Sequence, residues 1–170
     1  HAAMECFDFT YDEVQPQLLA FALDINGGVL TLSFDEVVSA GSVTAEGLKL
    51  QSTMSNPAQT SPGLAGTAST ADGTVLTLTL TLDSANEVRA LTGLATTDQN
   101  TYLTVDASAF TDVDAQAAVP ATVKVAAGAG FVADTTAPLA ERFKLDLTAG
   151  TLSVKYEQPV DGSQVDPTKF

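Results

Sequence analysis

The acidic loop DASAFTDVDAQAAVP, residues 106–120, carries the residue types and spacing with the clearest chemical potential in this chain. Asp112 and Asp114 stand two residues apart, so both carboxylates can face one cavity, and Ca²⁺ prefers such oxygen ligands. We expect Asp134 to approach the pair as a third ligand, which predicts a calcium site at Asp112, Asp114 and Asp134. A solvated loop whose aspartates accept hydrogen bonds from nearby backbone N–H groups explains the same pattern, so both interpretations stay open.

Groups that would carry catalysis are scarce. A nucleophile and its base must be held in place by packing, but the single histidine, His1, is the first residue and Cys6 lies in the same segment. Two adjacent acidic pairs, at 12–13 and 35–36, are better explained as solvated charge beside strands than as paired catalytic carboxylates. The sequence predicts that the chain is not an enzyme.

The charge balance is strongly acidic, with 21 Asp and Glu against 7 Lys and Arg and a formal net charge of −14. Nucleic acids and anionic membrane surfaces bind through clustered Lys and Arg, and the few in this chain are scattered, so we expect neither as a partner. No apolar run approaches the roughly 20 residues of a membrane span, which predicts no membrane insertion.

The N-terminal residues suggest an extracellular setting. The chain begins with His1 rather than Met, which predicts a processed product whose secretion signal has been removed. Cys6 is the only cysteine, so an internal disulfide is impossible. A small apolar side chain explains it, while in an extracellular protein an odd cysteine also favours an intermolecular disulfide. We expect a secreted or cell-surface protein.

The sequence contains a long internal repeat. LDINGGVLTLSF, residues 23–34, returns as LDLTAGTLSVKY, residues 145–156, and residues 12–48 align with 134–170 without a gap. The shift of 122 residues (12 to 134) is a whole domain's length, whereas solenoid repeats are about 20–50 residues long. We predict an N-terminal segment at 1–11, a complete module at 12–133 and the first strands of an incomplete second module at 134–170.

Apolar residues alternate along most of the complete module, which indicates β-strands. One short helix is predicted from the capping box of Ser84 and Glu87, with Gly93 as its stop, and residues 126–138 are predicted to be a linker. The fold class is therefore all-β, an immunoglobulin-like antiparallel β-sandwich with one short helix, followed by the start of a second such module. The predicted strands are residues 19–23, 30–34, 47–52, 64–70, 74–82, 101–106 and 121–126.

Several motifs match a known type of repeat. They are D-x-x-x-P at 12–16, Phe-x-Leu-Asp at 21–24, Gly-x-Leu-x-Leu-x-Phe at 28–34, Leu-Ala-Thr at 94–96 and Thr-Tyr-Leu at 101–103, with the acidic loop after them. With these motifs, residues 12–170 resemble the Ig-like repeats of large extracellular proteins, such as bacterial surface-layer and adhesin-type proteins and secreted algal proteins. That family usually ends its acidic loop with Gly-Asn, where this chain has Ala115-Gln116. The resemblance implies tandem repetition, secretion and a structural or adhesive role.

The second module has no strands of its own to cover its apolar face. An isolated hairpin is marginally stable in water, and its open edges invite pairing. The chain is then a segment of a longer repeat protein, a trimmed product, or a unit whose missing strands another polypeptide supplies. The residues predicted to take part in strand complementation or assembly are Phe143, Leu145, Leu152, Tyr156 and Phe170.

The sequence thus predicts a structural module of an extracellular multi-domain repeat protein, a building block or spacer in a cell-surface filament, sheath or adhesive layer. The expected partners are other copies or further modules of the same protein, or other cell-surface proteins. Two alternatives remain, a calcium-dependent adhesin module that binds carbohydrate or a surface, and an accessory domain of a secreted enzyme. The chain has 3 tyrosines and no tryptophan, so stacking platforms for sugars are scarce. Ca²⁺ is the one cofactor that the sequence suggests.

Overall fold

The computed structural model describes residue 8, residues 10–166 and residue 168. Within that part the chain is mostly β, with 38% strand, 15% helix, several sheets and one α-helix, as the alternating apolar residues predict. The strands are β1 Leu18–Asp24, β2 Val29–Val38, β3 Leu48–Gln51, β4 Gly66–Ala68, β5 Gly73–Leu80, β6 Tyr102–Val105, β7 Ala121–Lys124, β8 Phe131–Val132, β9 Ala140–Asp146 and β10 Thr151–Tyr156, and the helix α1 is Leu82–Arg89.

The first eight strands form two sheets that share one hydrophobic core. The larger sheet has the order β4-β5-β2-β1-β8 and the smaller one the order β3-β6-β7. Neighbouring strands are antiparallel except β1 and β8, which run parallel. Both sheets contribute side chains to the core that are at most 1% exposed, including Phe21, Leu30 and Leu78 from the larger sheet and Leu50 and Leu103 from the smaller one.

Two parts of the predicted strand pattern are wrong, at places where the alternation breaks. The alternation puts Leu19 inside, but an irregularity in the pairing between Leu18 and Ala20 buries Leu18 and leaves Leu19 62% exposed, as a β-bulge does. The alternation also makes Leu82 the end of a strand. It is instead the first residue of α1 and is 59% exposed.

The helix begins earlier than the predicted capping box. Thr81 is the N-cap, and its Oγ1 accepts a hydrogen bond from the Ser84 N–H at 3.2 Å. The Ser84 hydroxyl is buried and accepts from the Ala65 N–H at 3.0 Å. Because Ser84 is occupied by this tertiary contact, the prediction that it caps the helix is wrong.

The segment predicted to be a linker contains the strand β8. The Ile25 N–H donates to the Val132 carbonyl at 3.0 Å, and the Ala126 N–H donates to the Phe21 carbonyl at 2.9 Å. The first and last strands of the module are therefore neighbours in the larger sheet.

The hairpin of β9 and β10 repeats the pairing of β1 and β2. Phe21 lies opposite Leu32 in the first hairpin, and Phe143 lies opposite Val154 in the second. Both hairpins have an irregular register at the same place, next to the pairs Leu18–Phe34 and Ala140–Tyr156.

The correspondence extends beyond the strands. In each hairpin the turn ends on a glycine with positive φ, 68° at Gly28 and 64° at Gly150, a conformation that glycine adopts without strain. A 3₁₀ turn follows each second strand, at residues 40–42 and 162–164. The 122-residue repeat of the sequence is thus also a repeat of backbone structure.

Candidate functional site

A cluster of three carboxylates joins separate parts of the first module. One carboxylate oxygen each of Asp12, Glu36 and Asp112 lies within 4.8 Å of the others. Asp12 belongs to the segment before β1, Glu36 to β2, and Asp112 to the loop between β6 and β7. The cluster is the one group of three such ligands within that distance in the described part of the chain.

The fold places Asp112 beside β2 by apolar packing and backbone pairing. The Phe110 ring packs edge-on against Phe34, with ring centroids 4.7 Å apart. Two residues later, Asp112 forms an antiparallel bridge with Val38. This arrangement brings the acidic loop against the end of β2 that carries Glu36.

Local hydrogen bonds satisfy only half of the Asp112 carboxylate. Oδ1 accepts from the N–H groups of Asp114 and Gln116, each at 2.8 Å, and Ala115 completes the turn with φ of 68°. Asp112 is 2% exposed, and its Oδ2 is buried with no hydrogen-bond partner among the described residues. A buried carboxylate oxygen without a partner is energetically unfavourable.

Glu36 also has a carboxylate oxygen without a partner. Its Oε1 is buried without a hydrogen-bond partner, and no Lys or Arg of the described chain forms an ion pair with it. Desolvation by burial raises the pKa of Glu36 above its ordinary value, and the negative charges of four neighbouring aspartates, Asp12 and Asp112 among them, raise it further.

Asp12 is exposed, and backbone contacts hold its segment along the acidic loop. Its Oδ1 accepts from the Val14 N–H at 2.9 Å. The Gln116 side-chain amide donates to the Asp12 carbonyl at 3.4 Å, and the Val119 N–H donates to the Pro16 carbonyl at 3.1 Å. The cluster therefore has one buried member, Asp112, one half-buried member, Glu36, and one member open to solvent, Asp12.

The structure brings only one of the three predicted calcium ligands into this cluster. Asp112 belongs to it, while Asp114 is exposed and lies outside the group. Asp134 pairs with Arg89 instead, with 2.9 Å between Oδ2 and Nε. The predicted grouping of all three aspartates is wrong because β8 carries the chain past Ile25 to the end of α1, where Arg89 supplies the opposite charge.

Sequence reasoning missed Asp12 and Glu36 as cluster members. The signal for Glu36 was the strand alternation itself. Leu30, Leu32 and Phe34 point inward, so the same parity points position 36 inward, toward the buried Val38. A charged residue at an inward position is expected to have an oppositely charged or hydrogen-bonding partner. Asp12 gives no comparable signal, because its place beside the loop depends on tertiary contacts.

Arg89 organises a second polar site where the first module meets the second hairpin. Its Nη2 donates to the Ile25 carbonyl at 2.7 Å, and its Nη1 donates to Asn86 Oδ1 at 3.1 Å. The Nε–H is not aligned with Asp134 Oδ2 at 2.9 Å, so this contact is a charge pair without a hydrogen bond. The side chain of Arg89 is 9% exposed, so α1 anchors the chain as it leaves β8.

Further hydrogen bonds cross the same joint. Asn26 Oδ1 accepts from the Thr136 hydroxyl at 2.7 Å and from the Thr135 N–H at 3.2 Å. The Asn86 side-chain amide donates to the Glu157 carbonyl at 2.8 Å. A cleft of about 680 Å³ lies between α1 and the hairpin and is lined mostly by polar side chains. The joint is therefore built from specific polar contacts.

The second hairpin exposes an apolar face. Phe143 is 72% exposed, Leu145 56% and Leu152 47%, whereas their counterparts in the first hairpin are at most 1% exposed. Tyr156 is half-buried. That other strands cover this face stays a prediction, and Cys6 and Phe170 lie outside the described residues.

In the described chain, no helix has both the length and the apolar character needed to cross a membrane.

Comparison with protein-family models, with curated proteins and with solved structures gave no match for this chain.

Proposed function

We propose that the chain is a structural module of an extracellular multi-domain repeat protein. It serves as a building block or spacer in a cell-surface filament, sheath or adhesive layer. The observation that carries this proposal is the backbone repeat at a domain-length spacing, in which β9 and β10 reproduce the register of β1 and β2. In this proposal the first module is an Ig-like β-sandwich, since two sheets enclose one core.

The joint between the two units supports a spacer. Asn26, Asn86 and Arg89 of the first module all contact the segment that leads into the second hairpin or the hairpin itself. Polar contacts of this kind restrict the angle between consecutive units, because bending the joint breaks hydrogen bonds that water replaces only in part. An array with such joints holds its ends at a defined separation.

The partners in this proposal are further modules or other copies of the same protein. In the first module the outer edge of β2 pairs with β5, where Leu30 lies opposite Leu78 and Leu32 opposite Leu76. The equivalent edge of the second hairpin is β10, which pairs only with β9 in the described chain. A strand that alternates leucine and threonine, as β5 does, matches this edge.

A chimera tests the repeat on which the proposal depends. Residues 49–133 are appended after residue 170, because Leu48 and Phe170 occupy equivalent positions. We expect the appended residues to complete a second module, visible as slow amide hydrogen exchange in residues 140–156. The matched control carries Leu78→Asp in the appended copy only. Equally fast exchange of residues 140–156 in the chimera and the control would contradict the proposal.

Immunolabelling tests the location and the assembly. Antibodies raised against residues 12–133 are applied to intact cells of the source and to their detached surface material. We expect labelling outside the cell, with regular spacing along fibres or layers in electron micrographs. Labelling confined to permeabilised cells would rule out a cell-surface building block.

A further inference from the structure

We propose that Asp12, Glu36 and Asp112 bind one divalent cation of the size of Ca²⁺. The cation would tie together the segment that enters the first module, the end of β2 and the loop between β6 and β7. This site goes beyond the proposed function and can be tested separately from it.

The spacing of the carboxylates fits a single ion. Ca²⁺ lies about 2.3–2.6 Å from its oxygen ligands, so two ligands on opposite sides of it are roughly 4.6–5.2 Å apart. The three carboxylate oxygens lie within 4.8 Å of one another, which places them within reach of one such ion. Mg²⁺ demands a near-ideal octahedron at shorter distances, which three carboxylates from separate segments meet less well.

The buried oxygens of the cluster give a second and independent reason for a cation. Glu36 Oε1 and Asp112 Oδ2 are both buried and have no hydrogen-bond partner among the described residues. Asp112 is 2% exposed, so bulk solvent scarcely reaches its side chain. A proton would satisfy one carboxylate and leave the other two in repulsion, whereas a divalent cation contacts all three at once.

The ligand set has a closed side and an open side. Asp112 Oδ1 is already held by the N–H groups of Asp114 and Gln116, so this residue offers mainly Oδ2. Glu36 can offer one or two oxygens, and the exposed Asp12 leaves room for water molecules to complete the 6–8 oxygens that Ca²⁺ takes. The backbone therefore fixes one ligand rigidly, as a preformed site requires.

The second hairpin lacks this set of ligands. Asp134 is the counterpart of Asp12 but pairs with Arg89, and Gln158 is the counterpart of Glu36. The substitution Glu36→Gln thus introduces into the first module the residue that the second repeat already has at this position.

Calcium titration of the chain of residues 1–170 tests the site by calorimetry and by thermal unfolding. We expect saturable binding of one Ca²⁺ per chain. At a Ca²⁺ concentration 100 times the dissociation constant, the ratio of folded to unfolded protein should rise about 100-fold. Glu36→Gln and Asp112→Asn should each weaken Ca²⁺ binding at least tenfold, while Asp112→Asn keeps the oxygen that accepts the two backbone N–H groups.

The matched control is Glu87→Gln, which removes the same charge from an exposed position on α1 and should bind Ca²⁺ like the unmodified chain. Without Ca²⁺, Glu36→Gln should raise the melting temperature, because it removes a charge that its neighbours repel. With saturating Ca²⁺ the order should reverse. A merely structural role for Glu36 would not produce that reversal.

Three results would each overturn the proposal. The first is a melting temperature that responds to CaCl₂ no more than to NaCl at equal ionic strength. The second is an equal response to MgCl₂, which would contradict a Ca²⁺-sized site. The third is unchanged Ca²⁺ affinity in both Glu36→Gln and Asp112→Asn.

Discussion

The local sequence pattern makes Ser84 the cap of α1, but in the structure the hydroxyl groups of Thr81 and Ser84 have different roles. Thr81 caps α1, while Ser84 satisfies the N–H of Ala65 before β4. Ser84 and Glu87 have the spacing of a capping box, but that pattern contains no information about the N–H of Ala65, 19 positions away, which donates to Ser84. Side-chain types predict that a helix begins here, and tertiary contacts decide which residue begins it.

Replacing the two hydroxyls should have different consequences. Thr81→Ala removes the cap and should lower the free energy of unfolding by about 1 kcal/mol. Ser84→Ala leaves the N–H of Ala65 without its acceptor and should cost about 1–3 kcal/mol. Urea denaturation measures both, with Thr92→Ala, an exposed turn threonine, as the control that should change stability by no more than about 0.5 kcal/mol. Equal stabilities of Thr81→Ala and Thr92→Ala would show that the cap contributes nothing.

Only some residues of the candidate site can be predicted from the sequence. The spacing of acidic residues on one loop identifies Asp112 as a candidate ligand. The alternation along β2 identifies Glu36, because it places a charged residue at an inward position. Asp12 and the pairing of Asp134 with Arg89 depend on the path of β8 and of the entry segment. No local pattern encodes those paths, because they result from long-range pairing.

At the level of elements, the two hairpins form a natural matched pair. They share strand length at β1 and β9, register and turn geometry, yet only the first hairpin is covered by other strands in the described chain. Equivalent positions therefore have the same backbone and opposite environments. The difference in stability between equivalent substitutions then reports mainly on burial.

Phe21 and Phe143 allow that comparison. Phe21 is 1% exposed, so Phe21→Ala should lower the free energy of unfolding of the first module by about 3–5 kcal/mol. Phe143 is 72% exposed, so Phe143→Ala should change it by no more than about 0.5 kcal/mol. The measurement is urea unfolding at low micromolar protein. A large loss of stability in Phe143→Ala would mean that the hairpin face is covered in solution.

Alternation predicts the long strands well and the short ones poorly. β2 and β5 show their inward leucines plainly in the sequence, because a strand of eight or more residues contains several periods of two. β8 has 2 residues, too few to show any period, and it is therefore taken for linker. The bulge at Leu18 is missed for a related reason. It reverses the inward and outward positions only at the first residues of β1, which are too few to change the alternating pattern.

For the whole molecule, sequence predicts the β class and the repeat but not the arrangement of strands in sheets. The order β4-β5-β2-β1-β8 places strands from both ends of the module side by side, and no pattern within a strand specifies its neighbours. The net charge of −14, in contrast, is read directly from the sequence. It predicts repulsion among acidic side chains across the whole molecule.

Monovalent salt should stabilise the chain. Screening acts over about 8 Å at physiological ionic strength and about 3 Å at 1 M, so NaCl should weaken the repulsion among the acidic side chains and raise the melting temperature by a few degrees between about 0.05 and 1 M. Glu87→Lys changes the net charge by two, from −14 to −12, and should reduce the slope with salt. Calorimetry in NaCl measures both, and a melting temperature that falls with salt would contradict the expectation.

The parallel contact of β1 and β8 also determines how the first module would respond to tension. The chain enters the module ahead of β1 and leaves it after β8, so a pull on its two ends slides these strands past each other lengthwise. The bonds from Ile25 to Val132 and from Ala126 to Phe21 are then loaded in shear and must break together, not one after another as in unzipping. β8, together with the parallel contact of Val125 and Ala126 with Phe21, would thus act as a mechanical clamp.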